Sequence, residues 1–172
     1  MTLVIRAYED RDRAPVRALF VRVNRALAPE QMRDLFEDYI RRSLAEEIDL
    51  IPDYYGARQG GFWVAHEGDA LIGMFGLERA GGDSAELRRM YVAPEARRRG
   101  IARALLDRAE TECRAKGYRA LVLSTSEIQE AAIGLYRASG YRLVREEVAT
   151  AGSNKTIGSG VRRFHFIKEF AA

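Results

Sequence analysis

The residues best suited to chemistry lie between Met90 and Ala102, in the run MYVAPEARRRGIA. An apolar strand end leads into a proline-containing turn, three consecutive arginines and Gly100, and an amphipathic helix follows. The first turn of a helix has backbone N–H groups without partners and a partial positive charge, so it binds anions. Since Gly100 has no Cβ, an anion can approach the backbone closely there. The run therefore predicts a phosphate site.

A second motif follows in the run AAIGLYRASGY, from Ala131 to Tyr141. Its apolar residues recur at helical spacing, and Gly140 is typical of the end of a helix. Without further information, Tyr136 in this run is interpreted as a residue that packs in the core, like its neighbour Leu135.

Together, these two motifs resemble those of the Gcn5-related N-acetyltransferase (GNAT) family. Arg97-x-x-Gly100-x-Ala102 is similar to the family's (Gln/Arg)-x-x-Gly-x-(Gly/Ala) signature, and the second motif is similar to its A-x-x-L-Y-x-x-x-G-(F/Y) helix. The resemblance implies that the first loop holds the pyrophosphate of acetyl-coenzyme A. It also implies that Tyr136 protonates the leaving thiolate as a general acid.

The resemblance extends to further contacts with acetyl-coenzyme A. The family's strand before the loop is bulged and splays from its neighbour, so its main chain contacts the cofactor and an N–H near Met90 polarises the thioester carbonyl. Gln129 stands where many members have Asn, and its amide can bond the pantetheine arm. The expected cofactor-binding residues are Met90, Tyr91, Val92, Arg97, Arg98, Arg99, Gly100, Ile101, Ala102, Gln129 and Tyr136.

Acetyl transfer to an amine needs a base, because an ammonium group must lose a proton before it attacks. Glu86 is the first candidate, since the run ELRRMYV resembles the family variant in which this Glu sits in the acceptor site. Glu78 on the preceding strand is the alternative, and His66 and His165 are further candidates. Glu86 is otherwise a strand-edge charge near Arg88.

The acceptor is expected to contact the helix 30–45, the loop after it and the loop 149–160. Clustered acids and tyrosines in the first of these loops can bind a cationic amine or can simply face solvent. They are Glu46, Glu47, Asp49, Asp53, Tyr54 and Tyr55. The resemblance implies direct attack by the primary amine of a small molecule, such as an amino acid. A protein or peptide N-acetyltransferase and a non-catalytic acyl-coenzyme A sensor are the alternatives.

Composition supports one soluble domain over residues 1–172, since 47% of residues are hydrophobic and 31% are charged. The net charge of +3 does not indicate nucleic-acid binding. Charge clusters such as Arg88 and Arg89 are otherwise typical of solvated surface. The single cysteine, Cys113, excludes an intrachain disulfide and is expected in the core, which argues against an acetyl-cysteine step. We expect a cytoplasmic protein with no membrane segment and no metal; a homodimer stays open.

Periodicity predicts an α/β chain with the order β-α-α-β-β-β-α-β-α-β-β. The pattern assigns the segment from Ile48 to Gly61 to a loop, because it contains Pro and Gly, and assigns Ala151 to Gly160 to a mobile loop. The resemblance implies the GNAT fold, a mixed and mostly antiparallel sheet flanked by helices, over nearly the whole chain.

Overall fold

A central sheet organises the chain, and the computed structural model describes residues 2–171. In this part of the chain the strands are β1 (Leu3–Ala7), β2 (Gly61–Glu67), β3 (Ala70–Arg79), β4 (Ser84–Val92), β5 (Ala120–Ser126), β6 (Arg142–Ala149) and β7 (Val161–Glu169). The α-helices are α1 (Arg13–Leu27), α2 (Arg33–Glu46), α3 (Ile51–Gly56), α4 (Ile101–Ala115) and α5 (Glu130–Ala138). Short 3-10 turns precede α1, α2 and α3.

The strands are arranged in the order β1-β2-β3-β4-β5-β7-β6. Every neighbouring pair is antiparallel except β4 and β5, which run parallel. That parallel pairing covers only Ser84–Glu86 of β4 against Ala120–Val122 of β5, so the two strands diverge beyond it. The mixed, mostly antiparallel sheet with flanking helices confirms the predicted fold class.

Strand β4 carries a bulge at the start of this divergence. Met74 of β3 pairs with Tyr91, whereas Gly76 pairs with Arg88, so β4 has one more residue than β3 in this interval. Arg89 lies in the bulge with φ +55°, a left-handed conformation that costs a non-glycine residue roughly 1 kcal/mol. Contacts of the Arg89 side chain must offset this cost.

Helices cover both faces of the sheet, and two glycines of β3 show how closely they pack. A Cβ at Gly73 would lie 3.0 Å from Leu105 of α4, and one at Gly76 would lie 2.6 Å from Tyr55 of α3. Because alternate strand residues face opposite sides, these positions place α3 and α4 on opposite faces. A side chain at Gly76 would displace the Tyr55 ring.

The prediction of a loop from Ile48 to Gly61 is wrong. A 3-10 turn (Ile48–Leu50) and α3 occupy most of it, and Ile48, Ile51, Tyr54 and Tyr55 are buried. Pro52 does not break α3, because in the first turn a helix does not need the missing N–H.

Cys113 is buried in the core, as predicted, and burial raises the pKa of its thiol to about 12. The segment 151–160 is a loop, as predicted, and Asn154 anchors it by donating to Glu47 over 3.1 Å. Its mobility stays a prediction. Across residues 2–171, no helix has the length and apolar character needed to cross a membrane.

Candidate functional site

A cavity of about 650 Å³ opens where β4 and β5 diverge. It extends from the arginine-rich loop before α4 to the loop between β6 and β7. The structure brings together in its lining most of the residues that the motifs single out. These are Glu86, Met90, Tyr91, Val92, Arg97, Arg98, Gly100, Ile101, Ala102, Gln129 and Tyr136.

The loop before α4 forms a cradle of free backbone donors. Arg98 and Gly100 adopt φ values of +61° and +77°. Within residues 2–171, no acceptor is found for the backbone N–H groups from Arg98 to Arg103. A Cβ at Gly100 would meet no atom within 4 Å, so the positive φ, and not crowding within the protein, explains the glycine. Consecutive free N–H groups at a helix N-terminus fit a phosphate group.

The arginines of this loop do not share one environment. Arg97 and Arg98 line the cavity, whereas Arg99 does not and pairs with Glu67 of β2. A cofactor contact through the Arg99 side chain is therefore not supported by its position. The backbone N–H of Arg99 still belongs to the cradle.

Tyr136 lies on α5 with its ring against Tyr141 and Phe166. In the described part of the chain, no hydrogen-bond partner is found for its hydroxyl. Burial, with a smaller contribution from Tyr91, raises the pKa of Tyr136 above its ordinary value. The phenol is therefore protonated at neutral pH and can donate its proton to a group in the cavity.

Gln129 lies at the start of α5, where its side-chain oxygen accepts a 3.0 Å hydrogen bond from Thr125. Thr125 is at the open end of β5 and also lines the cavity. The hydrogen bond orients the amide so that its nitrogen remains available as a donor.

The two candidate bases share one ammonium group. Lys155 Nζ lies 3.0 Å from Glu86 Oε1 and 3.1 Å from Glu78 Oε1. Burial lowers the pKa of Lys155, but Glu86 and Glu78 more than offset this effect, so its pKa lies above the ordinary value. Glu86 lines the cavity, whereas Glu78 does not and is enclosed by Lys155, Arg88 and Arg58. Position therefore favours Glu86 over Glu78 as a base.

Neither histidine lines the cavity. His66 Nε2 lies 3.0 Å from Arg6 and 3.5 Å from Asp12. His165 Nε2 lies 2.7 Å from Glu147. Both rings have other polar partners, so the structure does not bring these two candidate bases to the site.

A buried ion cluster, formed by Glu47, Arg88 and Arg89, lies next to the cavity. Arg88 Nη2 is 2.7 Å from Glu47 Oε1, and Arg89 Nε is 2.9 Å from Oε2. Tyr55 donates to the same carboxylate over 2.7 Å. Solvent exposure of Glu47, Arg88 and Arg89 is thus a wrong prediction, and Glu47 is not free to bind an acceptor amine.

Electrostatics within the cluster keep the carboxylate ionised. Burial raises the pKa of Glu47, but the charges of Arg89 and Arg88 and their hydrogen bonds outweigh it, so the pKa falls below its usual range. Burial and the charge of Glu47 raise the pKa of Tyr55 well above its ordinary value. The main-chain carbonyl oxygen of Asn154 accepts hydrogen bonds from both arginines, which connects the cluster to the loop 150–160.

Several cavity residues were not singled out from the sequence as functional. Asn154 and Lys155 lie in a loop that was assigned to acceptor binding only as a whole. Arg163 of β7 lines the cavity and donates to Ser124 of β5 over 2.8 Å. In the sequence, the available signal is the alternation of polar residues along the strands. This alternation does not show which side chains from different strands lie close together.

Comparison with known proteins gives the family model "Acetyltransferase (GNAT) family" over residues 25–141. Probable N-acetyltransferase family 8 member 5 of Mus musculus is 34% identical over 112 residues, which are 62% of this chain and 49% of that protein. Probable N-acetyltransferase 14 of Xenopus tropicalis is 36% identical over 99 residues, 56% of this chain and 48% of that protein. The chain therefore spans about half the length of these curated relatives.

Solved structures share the fold over nearly the whole chain. The PaiA N-acetyltransferase from Thermoplasma acidophilum in complex with coenzyme A has a TM-score of 0.74 at 21% identity, covering 99% of this chain and 100% of that one. A GNAT-family acetyltransferase from Staphylococcus aureus Mu50 has a TM-score of 0.76 at 16% identity, with the same coverage. At these sequence identities, the structural similarity shows that the fold is shared and does not show a shared function.

Proposed function

The chain belongs to the acetyltransferase (GNAT) family, and we propose that it transfers the acetyl group of acetyl-coenzyme A to the primary amine of a small molecule. The acceptor is an amino acid or a similar amine, and the amine attacks the thioester directly. Residues 1–172 act as a single catalytic domain.

One observation carries the proposal: a single cavity joins a cradle of free backbone donors to a protonated phenol and a carboxylate. The cradle suits a pyrophosphate, and Tyr136 and Glu86 are the proton donor and acceptor that acyl transfer to an amine requires. A domain that only sensed acyl-coenzyme A would not need both of these groups.

The chain's residues divide the work along the cavity. The N–H groups from Arg98 to Ala102 bind the pyrophosphate, and Arg97 adds a charge-assisted contact. The main chain of Met90–Val92, which no strand pairs on the β5 side among the described residues, and the amide of Gln129 bind the pantetheine arm. When bound, acetyl-coenzyme A supplies the activated thioester.

Proton transfer is assigned to two side chains on either side of the strand divergence. Glu86 accepts a proton from the acceptor ammonium, directly or through a water molecule. Tyr136 holds a proton at Oη for the departing sulfur. The backbone N–H near Met90 stabilises the developing oxyanion.

The loop between β6 and β7 supports a small acceptor. Asn154 and Lys155 of this loop line the cavity, and Asn154 donates to Glu47 of the buried ion cluster. We expect this anchored loop to restrict access for a peptide. A panel that includes amino acids, polyamines and peptides distinguishes the two acceptor classes.

Calorimetric titration with acetyl-coenzyme A tests the cofactor site. Wild type should bind in the micromolar range, and Gly100→Glu should abolish binding by placing a carboxylate in the cradle. Gly117→Glu is the matched control, because Gly117 also has a positive φ (+84°) and open space but lies at the other end of α4. Absence of binding by wild type, or equal binding by both variants, would refute the proposed site.

A further inference from the structure

Arg163 is half-buried and lines the cavity, and it differs from the buried Arg88 and Arg89 because no carboxylate of the described residues pairs with it. Its Nη2 donates to Ser124 Oγ over 2.8 Å, and within residues 2–171 no carboxylate oxygen lies within 4.0 Å of its guanidinium. Arg88 and Arg89, by contrast, both contact Glu47. Burial lowers the pKa of Arg163, and the opposite effects of nearby groups, Glu147 and Glu86 among them, offset this only in part.

The acidic residue opposite Arg163 in the sheet, Glu147, already has other partners. Glu147 of β6 is the register partner of Arg163, but Glu147 Oε1 lies 2.7 Å from His165 and Oε2 lies 3.9 Å from Arg145. Glu86 is held by Lys155 in the same way. The guanidinium therefore keeps donors without a partner among the described residues, and Arg163 lines both the main cavity and a smaller cavity beside it.

Strand register places Arg163 on the same face of the sheet as Glu86. Glu86 pairs with Val122 of β5. Ser126 lies four residues further along β5 and pairs with Arg163 of β7. Residues at even spacing along a strand share a face. Arg163 and the proposed base therefore line the same cavity from the same face of the sheet, one with a guanidinium and the other with a carboxylate.

We propose that Arg163 binds a carboxylate group of the acceptor, so that the preferred acceptors are small amines that carry a carboxylate, as free amino acids do. The inference rests on the proposed function and narrows its substrate class. The planar guanidinium can bind both oxygens of a carboxylate while the amine of the same molecule lies near Glu86.

Matched amine pairs test this assignment. Each pair consists of an amino acid and its decarboxylated counterpart, such as phenylalanine with phenethylamine and leucine with isoamylamine. Wild type should favour the amino acid by roughly 10- to 100-fold in kcat/KM, the range expected for a hydrogen-bonded charge pair. Arg163→Gln should remove this preference by slowing the amino acid and not the plain amine, and Arg163→Lys should restore part of it.

Arg162→Gln is the control, because Arg162 is exposed on the opposite face of β7 and does not line either cavity. Coenzyme A affinity and thermal unfolding of each variant report whether the fold is intact. An equal rate loss of Arg163→Gln on both members of a pair, or no preference in wild type, would overturn the inference.

A binding measurement separates this inference from the proposed function. Calorimetry in the presence of coenzyme A compares N-acetylphenylalanine with N-acetylphenethylamine on wild type and Arg163→Gln. Selective binding of the carboxylate by wild type without any turnover would support the Arg163 site and refute the acetyltransferase proposal. Turnover without carboxylate selectivity would support the acetyltransferase proposal and refute the Arg163 site. If neither turnover nor selective binding is observed, both proposals are refuted.

Discussion

The guanidinium of Arg89 forms a two-point ion pair with the carboxylate of Glu47, with Nε 2.9 Å from Oε2 and Nη2 3.0 Å from Oε1. The pair connects the end of α2 to the bulge of β4, the strand segment that faces the cavity. It also supplies the contacts that hold Arg89 in its left-handed conformation. The geometry of the bulge therefore depends on a residue that lies far away in sequence and outside the cavity.

Replacement of Glu47 should be strongly destabilising. Glu47→Gln removes the carboxylate that pairs with Arg89 and leaves Arg88 with the longer contact to Glu78, at 3.4 Å. Loss of this buried pairing is expected to cost about 3–5 kcal/mol in the free energy of unfolding. Chemical denaturation measures this loss. Glu46→Gln, at the exposed neighbouring position, should change stability little. A small effect at Glu47 would mean that water or another anion screens the two arginines.

Stability should also fall in acid for the same reason. The pKa of Glu47 is lowered in the folded protein, and so is that of Asp12, where the hydrogen bonds and charge of Arg6 outweigh the opposite effect of burial. A lowered folded pKa stabilises the protein above the unfolded value, about 4 for these acids, and this contribution is lost as pH falls through the folded pKa. Denaturation between neutral pH and pH ~3 should show the decline. In Glu47→Gln the decline should be shallower, and parallel curves would contradict the assignment.

Removal of the Tyr136 hydroxyl should affect turnover and not folding. Tyr136→Phe is expected to lower kcat by roughly 10²- to 10⁴-fold, with coenzyme A affinity and the free energy of unfolding nearly unchanged. Tyr141→Phe should show the opposite pattern, because Tyr141 donates over 3.0 Å to the buried Glu110 and its loss costs about 1–3 kcal/mol. Steady-state kinetics and denaturation of both variants provide the comparison. Wild-type kcat in Tyr136→Phe would assign Tyr136 to packing alone.

The two candidate bases can be separated by parallel substitutions. Glu86→Gln should reduce kcat by roughly 10²- to 10⁴-fold. Glu78→Gln should mainly lower stability, since Glu78 is buried beside Arg88 and Lys155 and does not line the cavity. An inactive Glu78 variant combined with an active Glu86 variant would transfer the role of base to Glu78.

Local sequence was sufficient for much of the fold and for the phosphate cradle. The run around Gly100 combines a strand end, a basic turn and a helix start, and these features act within a few residues of one another. Segment α3 was missed although Ile48, Ile51 and Tyr55 have helical spacing, because Pro52 and the nearby glycines suggest a loop. A proline is compatible with the first turn of a helix, and the buried tyrosines decide the outcome.

The long-range electrostatics could not be read from local sequence. Glu47 stands in an acidic stretch that suggests a solvated surface, and its partners Arg88 and Arg89 lie 41 and 42 residues away. Arg163 presents the converse case, because the lack of a carboxylate partner for it among residues 2–171 becomes visible only when every neighbouring strand is in place. Patterns report which residues alternate along an element, whereas ion pairing depends on which elements meet.

The short contact between β4 and β5 has a mechanical consequence. Three register pairs between β4 and β5 join the four strands β1–β4 to the three strands β5–β7. The two parts of the sheet separate beyond these pairs. A ligand lying between the two parts would brace them as an additional strand does, by bonding to edges that the protein leaves open. Binding of the ligand would then make the whole sheet more rigid, and release of the ligand would make it more flexible again.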